Sequence, residues 1–268
     1  MAANIAKSGY EIQVWNRTAR TAQKLAEELK VQAVSSIQQL TVNADIILIC
    51  VSADKDVLEV VTAMLGSVKP GSIVIDTSTV SSDTAKTAAK LLASQQVDFL
   101  DAPVSGGVEG AKKGTLAMMV GGDKKVLEKA RPVLEAISAR IIYMGDTGAG
   151  QGTKAVNQIM AAGINQAVTE ALAFAQAEGL PLEKVIDVVS GGAAGNWFLS
   201  HRGLSMVKEQ YQPGFKLALH HKDLNICLTM AEKNSADLEL VRKTIKDYQQ
   251  LMSEGFGDED ISALYRIK

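Results

Sequence analysis

Cysteine is nearly absent from this 268-residue chain, which holds two, Cys50 and Cys227, each inside an apolar run and far from any C-x-x-C or histidine cluster. They read as small buried hydrophobes, not as metal ligands or a redox pair. Histidine is almost as scarce, at three residues. His220 and His221 are neighbours, which on a helix point about 100° apart, and His201 stands alone, so no pair has the i, i+4 spacing of a metal site. No metal is expected. Neither sign of charge dominates, with 28 Lys plus Arg against 30 Asp plus Glu, and no sustained basic run exists to neutralise a phosphate backbone. Nucleic acid is not an expected partner. No apolar run approaches the ~18 residues that span a bilayer, and the start carries no hydrophobic segment with a cleavage site. The expectation is a soluble cytoplasmic protein. Internal repeats and low-complexity tracts are missing too.

What the chain does have, over its first 148 residues, is alternation of short β-branched runs with amphipathic stretches. The strand candidates are "YEIQVW" (10–15), "ADIILICV" (44–51), "SIVIDT" (72–77), "VDFLDA" (97–102), "TLAMMVGG" (115–122) and "ARIIYMG" (139–145). Several are apolar on both faces, as in a parallel sheet covered by helices on each side. The pattern predicts a doubly wound α/β domain of dinucleotide-binding type over 1–148. After "GDTGAGQG" only helical periodicity continues. The stretch "QGTKAVNQIMAAGINQAVTEALAFAQAEG" ends at Gly179 with Pro181 beyond, a helix stop. An all-α domain over 149–268 is expected, with the "TGAGQG" glycines as a hinge.

Three places could carry chemistry. In "DAPVSGGVEGAKKGTLAMMVGG" a strand end leads into Ser105, Gly106 and Gly107. Ligands of open α/β sheets bind beyond such ends, where Gly-Gly lets backbone N–H groups approach an anion and the serine adds a donor. The same tripeptide is also the composition of an ordinary turn. In "GAGQGTKAVNQ", Lys154 falls in the first turns of the long helix, with Asn157 and Gln158 three and four residues on and therefore on one face. A lysine near the positive end of a helix dipole is disfavoured as an ammonium, which suits a group that exchanges protons near neutral pH. A solvated surface lysine is the competing reading. In "HHKDL", Lys222 and Asp223 form a third candidate, or an ordinary surface pair. Finally, Asn16, Arg17 and Thr18 follow the first visible strand, where an acidic residue would bind a ribose 2′-OH and an arginine accommodates a 2′-phosphate. NADP(H) is thereby favoured over NAD(H), although N-R-T also suits a plain turn.

Taken together and in this order, "DAPVSGGVEGAKKGTLAMMVGG", "GAGQGTKAVNQ" and "HKDLNICL" resemble the β-hydroxyacid dehydrogenase family over practically the whole chain. The resemblance implies a Rossmann-like amino-terminal domain, a long interdomain helix and a helical carboxyl-terminal domain through which family members form dimers or tetramers. It makes Lys154 the catalytic lysine, Asn157 a substrate contact, and Ser105, Gly106 and Gly107 the carboxylate site. Val51 and Ser52 match positions lining the cofactor, and Thr79 one beside the nicotinamide. Lys222 matches a cofactor-contacting lysine, Asp223 its acidic neighbour, and Phe215 a wall of the substrate pocket, with Trp197 and Phe198 as further candidate walls. The implied activity interconverts a small carboxylate-bearing aldehyde and its hydroxy acid, with NADP(H) preferred and NAD(H) as the second cofactor.

One departure stands out. The family's G-x-G-x-x-G turn after the first strand has no counterpart, and Met1, Ala2, Ala3 and Asn4 match the interior of the first family helix. The expectation is a sheet lacking its central first strand, and a working protein longer than the given start. Were that start genuine, the rival reading would be a non-catalytic, dehydrogenase-like oligomerisation module.

Overall fold

A computed structural model describes residues 1–268, the side chain of Asn234 excepted. The chain divides into two compact units, Met1–Lys154 and Ala155–Lys268.

The first unit runs α1 (Ala2–Lys7), β1 (Gln13–Val14), α2 (Ala19–Leu29), β2 (Gln32–Ala33), α3 (Ile37–Thr41), β3 (Ile46–Ile49), α4 (Asp54–Met64), β4 (Ile73–Asp76), α5 (Ser82–Ala93), β5 (Asp98–Asp101), β6 (Val104–Ser105), α6 (Gly107–Lys113), β7 (Leu116–Gly122), α7 (Lys124–Leu134) and β8 (Ser138–Gly145). Strand β4 is buried at every position, because alternate residues serve different cores. Val74 packs with Ile47, Ile49, Val57, Val61 and Leu92 on one face, and Ile73 and Ile75 pack with Leu100, Met118, Leu127 and Leu134 on the other. Burying such aliphatic side chains stabilises by roughly 1.5–3 kcal/mol each. The helices on both faces explain why these strands read as continuous apolar runs.

The sheet is in two pieces. Strands β1 and β2 pair in parallel, and a six-stranded piece has the order β3-β4-β5-β7-β6, with β8 on β7. Neither β1 nor β3 has a second neighbour among these strands. The parallel set ends at β5, since β7 runs antiparallel to it, Leu100 opposite Gly122, and β8 is parallel to β7. Cys50 is exposed, not buried as expected: it follows the last ladder residue of β3, on the edge without a neighbouring strand.

Helix α8 (Ala149–Ala177) is a continuous 29-residue element, about 44 Å long at 1.5 Å per residue. Gly179, at φ +68°, closes it, as the Gly-x-Pro signal requires. The second unit holds the rest of α8 with α9 (Leu182–Ser190), α10 (Trp197–Val207), α11 (Leu217–Asn234) and α12 (Glu239–Ser253). Its core gathers Leu172, Phe198, Met206, Leu217, Leu224, Tyr248 and Leu251. No helix among the described residues is long and apolar enough to cross a membrane.

Candidate active site

In the first unit the candidate residues lie where the strands end. Asn16, Arg17 and Thr18 follow β1, Val51 and Ser52 follow β3, and Thr79 follows β4. Asn16 Oδ1 accepts from the Thr18 N–H at 2.9 Å, a side-chain turn that fixes the loop. Arg17 stays exposed, its Nη1 3.2 Å from Asp56 Oδ1. The Val51 N–H donates to Ser78 Oγ at 2.9 Å, tying the loop after β3 to the loop after β4. That second loop is clamped around Thr79 by Gln151, whose Oε1 accepts from the Val80 N–H at 3.2 Å and whose Nε2 donates to the Ser78 carbonyl at 2.9 Å. Ser105 ends β6, and Gly106 and Gly107 follow at φ +128° and +61°. Two consecutive left-handed residues admit only glycine without strain.

Lys154 owes its place to how α8 begins. The Asp101 carboxylate, at the end of β5, accepts from the Gly148 N–H at 2.7 Å and from the Gln151 N–H at 2.9 Å. Strand β5 thus supplies the helix cap from another element and satisfies N–H groups that a helix start leaves unpaired. Burial pushes the Asp101 carboxyl up, and these N–H groups pull it back down. The approach is close. A Cβ on Gly150 would strike the carbonyl oxygens of Met119 and Asp101, and one on Gly121 would lie 2.5 Å from Asp101 Oδ1. Gly150 is therefore a contact glycine inside the helix. Lys154 follows one turn later and is 8% exposed, so the solvated-lysine reading fails. The anionic cap also offsets part of the helix dipole that the sequence argument relied on.

In the second unit Asn157 Nδ2 donates to Gln158 Oε1 at 2.7 Å, and Gln158 Nε2 donates to Asp223 Oδ2 at 2.6 Å. Asp223 Oδ1 is 2.8 Å from Lys222 Nζ. His220 is fully buried, with Nε2 3.1 Å from the Gln158 carbonyl and Nδ1 3.1 Å from the Tyr248 hydroxyl. A carbonyl only accepts, so Nε2 carries a proton, and Nδ1 faces the Tyr248 hydroxyl. Burial pushes the Tyr248 phenol far up, which keeps it a donor. The Phe215 ring lies 5.3 Å from the His220 ring, tilted by 46°, and the Phe215 N–H donates to the buried Asp260 carboxylate at 3.1 Å. Phe198 belongs to the core, whereas Trp197 is exposed and stacks on His201 at 4.3 Å. Phe198 lies in the cluster against which Phe215 packs, the packing role that its sequence left open.

Sequence reasoning passed over Asp101, Gln151 and Asp56, weighed His220 only as a metal ligand, and gave Gln158 no role. The positions of Asp101 and Gln151 inside the two longest motifs were a signal, but nothing local says a strand-end carboxylate caps a helix 47 residues on. Among the described residues no group of three or more His, Cys, Asp or Glu is placed to hold a metal ion.

Comparison with known proteins gives this geometry a context. Residues 1–145 match the model of the NAD binding domain of 6-phosphogluconate dehydrogenase, and 148–268 that of the NAD-binding region of NADP-dependent 3-hydroxyisobutyrate dehydrogenase. The chain is 36% identical over 270 residues to the 2-hydroxy-3-oxopropionate reductase of Escherichia coli K12, covering 98% of this chain and 91% of that one. It is 33% identical over 272 residues to a probable 3-hydroxyisobutyrate dehydrogenase of Mycobacterium tuberculosis H37Rv, covering 98% and 92%. A solved structure of the Mycobacterium tuberculosis 3-hydroxyisobutyrate dehydrogenase with L-serine superposes with a TM-score of 0.90 at 30% identity, covering 99% and 93% of the two chains. With both family models matched and relatives of this similarity along nearly its whole length, the chain belongs to the β-hydroxyacid dehydrogenase family of NAD(P)-dependent oxidoreductases.

Proposed function

We propose that this chain is an NADP(H)-dependent reductase that interconverts a small carboxylate-bearing aldehyde, a semialdehyde or glyoxylate, and its hydroxy acid. The observation that carries the proposal is Lys154, a lysine 8% exposed near the capped start of α8, on the helix face that also bears Asn157 and Gln158. Burying an ammonium group is costly, and lysine is rarely found so deep unless it is paired, so the place of Lys154 is built rather than incidental. The names of the relatives support the substrate class: 2-hydroxy-3-oxopropionate and 3-hydroxyisobutyrate are small oxo or hydroxy acids.

The residues present fit a dinucleotide. An exposed guanidinium at Arg17 suits a 2′-phosphate, with Asn16 and Thr18 shaping its loop; Val51, Ser52 and Thr79 line the strand ends where such ligands bind, and Lys222 is a further contact. When bound, the nicotinamide supplies or accepts a hydride. Ser105, Gly106 and Gly107 anchor the substrate carboxylate and so fix the reacting carbon at a set distance from the anion, an orientation effect. Lys154, as ammonium, polarises the carbonyl oxygen and gives it a proton in reduction; as amine, it removes the hydroxyl proton in oxidation. Asn157 holds the substrate oxygen, Asp223 supports it through Gln158, and Phe215 bounds the chain length. Assembly as a homodimer or homotetramer through the helical unit, and a cytoplasmic setting, belong to the same reading.

A panel of succinic, tartronate and methylmalonate semialdehydes and glyoxylate, assayed with NADPH and NADH, tests it. Turnover of at least one with NADPH faster than with NADH is expected. No turnover of any member overturns the substrate class, and equal or faster rates with NADH overturn the cofactor preference.

A further inference from the structure

We infer that Gln158 is a positioning residue that fixes which end of the Asn157 amide is presented to substrate, so that Asn157 accepts a hydrogen bond and favours the hydroxy acid over the aldehyde. The inference rests on the proposed role of Asn157 as a substrate contact. Its polarity is set at Asp223, which is 4% exposed and paired with Lys222 Nζ at 2.8 Å. A carboxylate beside an ammonium has only acceptors to offer. Gln158, 2% exposed, must therefore turn its NH2 toward Asp223, and Nε2 lies 2.6 Å from Oδ2. That leaves Gln158 Oε1 at the other end, again an acceptor only. Asn157 must in turn direct its NH2 to it, and Nδ2 lies 2.7 Å away. The opposite end of the Asn157 amide is then Oδ1.

Reversing Asn157 would set two carbonyl oxygens against each other at the 2.7 Å now spanned by a hydrogen bond, which costs more than a lost bond because both acceptors lose their donor. Gln158 cannot turn to compensate. Its side chain is held by Asp223, and its main-chain carbonyl accepts from His220 Nε2 at 3.1 Å, with His220 held by Tyr248 and Tyr248 by Asn165 Nδ2 at 3.0 Å. One direction of donation therefore runs along Asn157, Gln158 and Asp223. While Lys154 is an ammonium and donates to the substrate oxygen, a hydroxyl can give its own proton to Asn157 Oδ1; an aldehyde carbonyl has none to give. The hydroxy acid gains a contact that the aldehyde lacks.

The test uses the full chain and Gln158→Met, which has neither amide end, beside Gln158→Glu, which as the neutral acid donates its O–H to Asp223 Oδ2 and keeps an oxygen that accepts from Asn157 Nδ2. For Gln158→Met we expect the inhibition constant of the hydroxy acid to rise about tenfold, on the scale of one hydrogen bond, with the KM of the aldehyde changed less than twofold; Gln158→Glu should restore most of the difference. Equal factors for aldehyde and hydroxy acid in Gln158→Met would overturn the inference, since a general loosening of the site moves both. A second readout needs no turnover. In protein labelled with 15N-asparagine, the Asn157 side-chain amide, assigned by its loss in Asn157→Asp, should exchange with solvent at least tenfold more slowly than an exposed asparagine amide in the wild type and in Gln158→Glu. Fast exchange in the wild type refutes the inference even if Gln158→Met does not fold. Failure of the whole substrate panel would remove the proposed activity while this exchange measurement still decided the amide orientation.

Discussion

Replacing Asp76 with Asn should remove a pH-dependent cost from the parallel sheet. Asp76 ends β4, is fully buried, and accepts from the Ser78 N–H at 2.9 Å through Oδ1. Its Oδ2 has no hydrogen-bond partner among the described residues. Burial pushes its pKa from 3.8 up to about 6, with the carboxylates of Asp101 and Asp54 adding to the rise and Ser78 opposing it. A carboxyl whose folded pKa lies above its unfolded one binds protons more tightly when folded. Its contribution is fully present below about pH 4 and is lost as pH rises through about 6. At 1.36 kcal/mol per unit the shift amounts to about 3 kcal/mol, or roughly 6–12 °C in Tm for a chain of this size. The assay is urea denaturation of wild type and Asp76→Asn at matched pH values from 4 to 8. Carboxylates that do not interact with Asp76 cancel in the difference, and any constant offset from the new amide leaves the slope untouched. The stability of Asp76→Asn relative to wild type should climb by about 3 kcal/mol between pH 4 and 8. A difference that stays flat, or climbs in the other direction, refutes the reasoning.

Other outcomes follow from the same geometry. Gly150→Ala should cost about 1–3 kcal/mol through forced displacement of the helix start, whereas at Gly152 a new Cβ meets nothing nearer than Ser82 Oγ at 3.9 Å, so Gly152→Ala should be neutral or mildly stabilising in the same denaturation assay. Arg17→Ala should weaken NADPH binding by about tenfold or more, the loss of a charge-assisted contact, and leave NADH binding unchanged in a fluorescence titration; an equal effect on both would remove Arg17 from the 2′-phosphate site. His220→Phe should lower stability by about 1–3 kcal/mol, because the Tyr248 hydroxyl is left buried without its histidine partner, and a midpoint within error of wild type would show that the ring is dispensable there.

How much could be read beforehand depended on whether a signal was local. Strands β3, β4, β5 and β7 are four or more residues long, within longer apolar runs, and announced themselves, and α8 did so by 29 residues of helical pattern and its Gly-x-Pro stop. Strands β2 and β6 have two residues each, too short for any period to show. The antiparallel turn at β7 was hidden because a strand buried on both faces reads the same in either direction. Ser105, Gly106, Gly107, Lys154 and Asn157 were legible as chemistry-bearing residue types in motifs. Their supports were not: Asp101, Gln151 and His220 act through partners 47, 71 and 62 residues away, and only the fold brings these together. The "TGAGQG" glycines show the same limit, since glycine marks a flexible turn and a tight contact equally well, and at Gly150 the facing carbonyls show a contact.

The central claim, that Lys154 moves the proton, is tested most directly by turnover of Lys154→Met with saturating NADPH and the best semialdehyde of the panel, with NADPH affinity measured on the same sample. The account predicts a fall in kcat of about 10²-fold or more, the usual scale of a lost general acid, at unchanged NADPH affinity. Near-normal turnover with intact cofactor binding would contradict it.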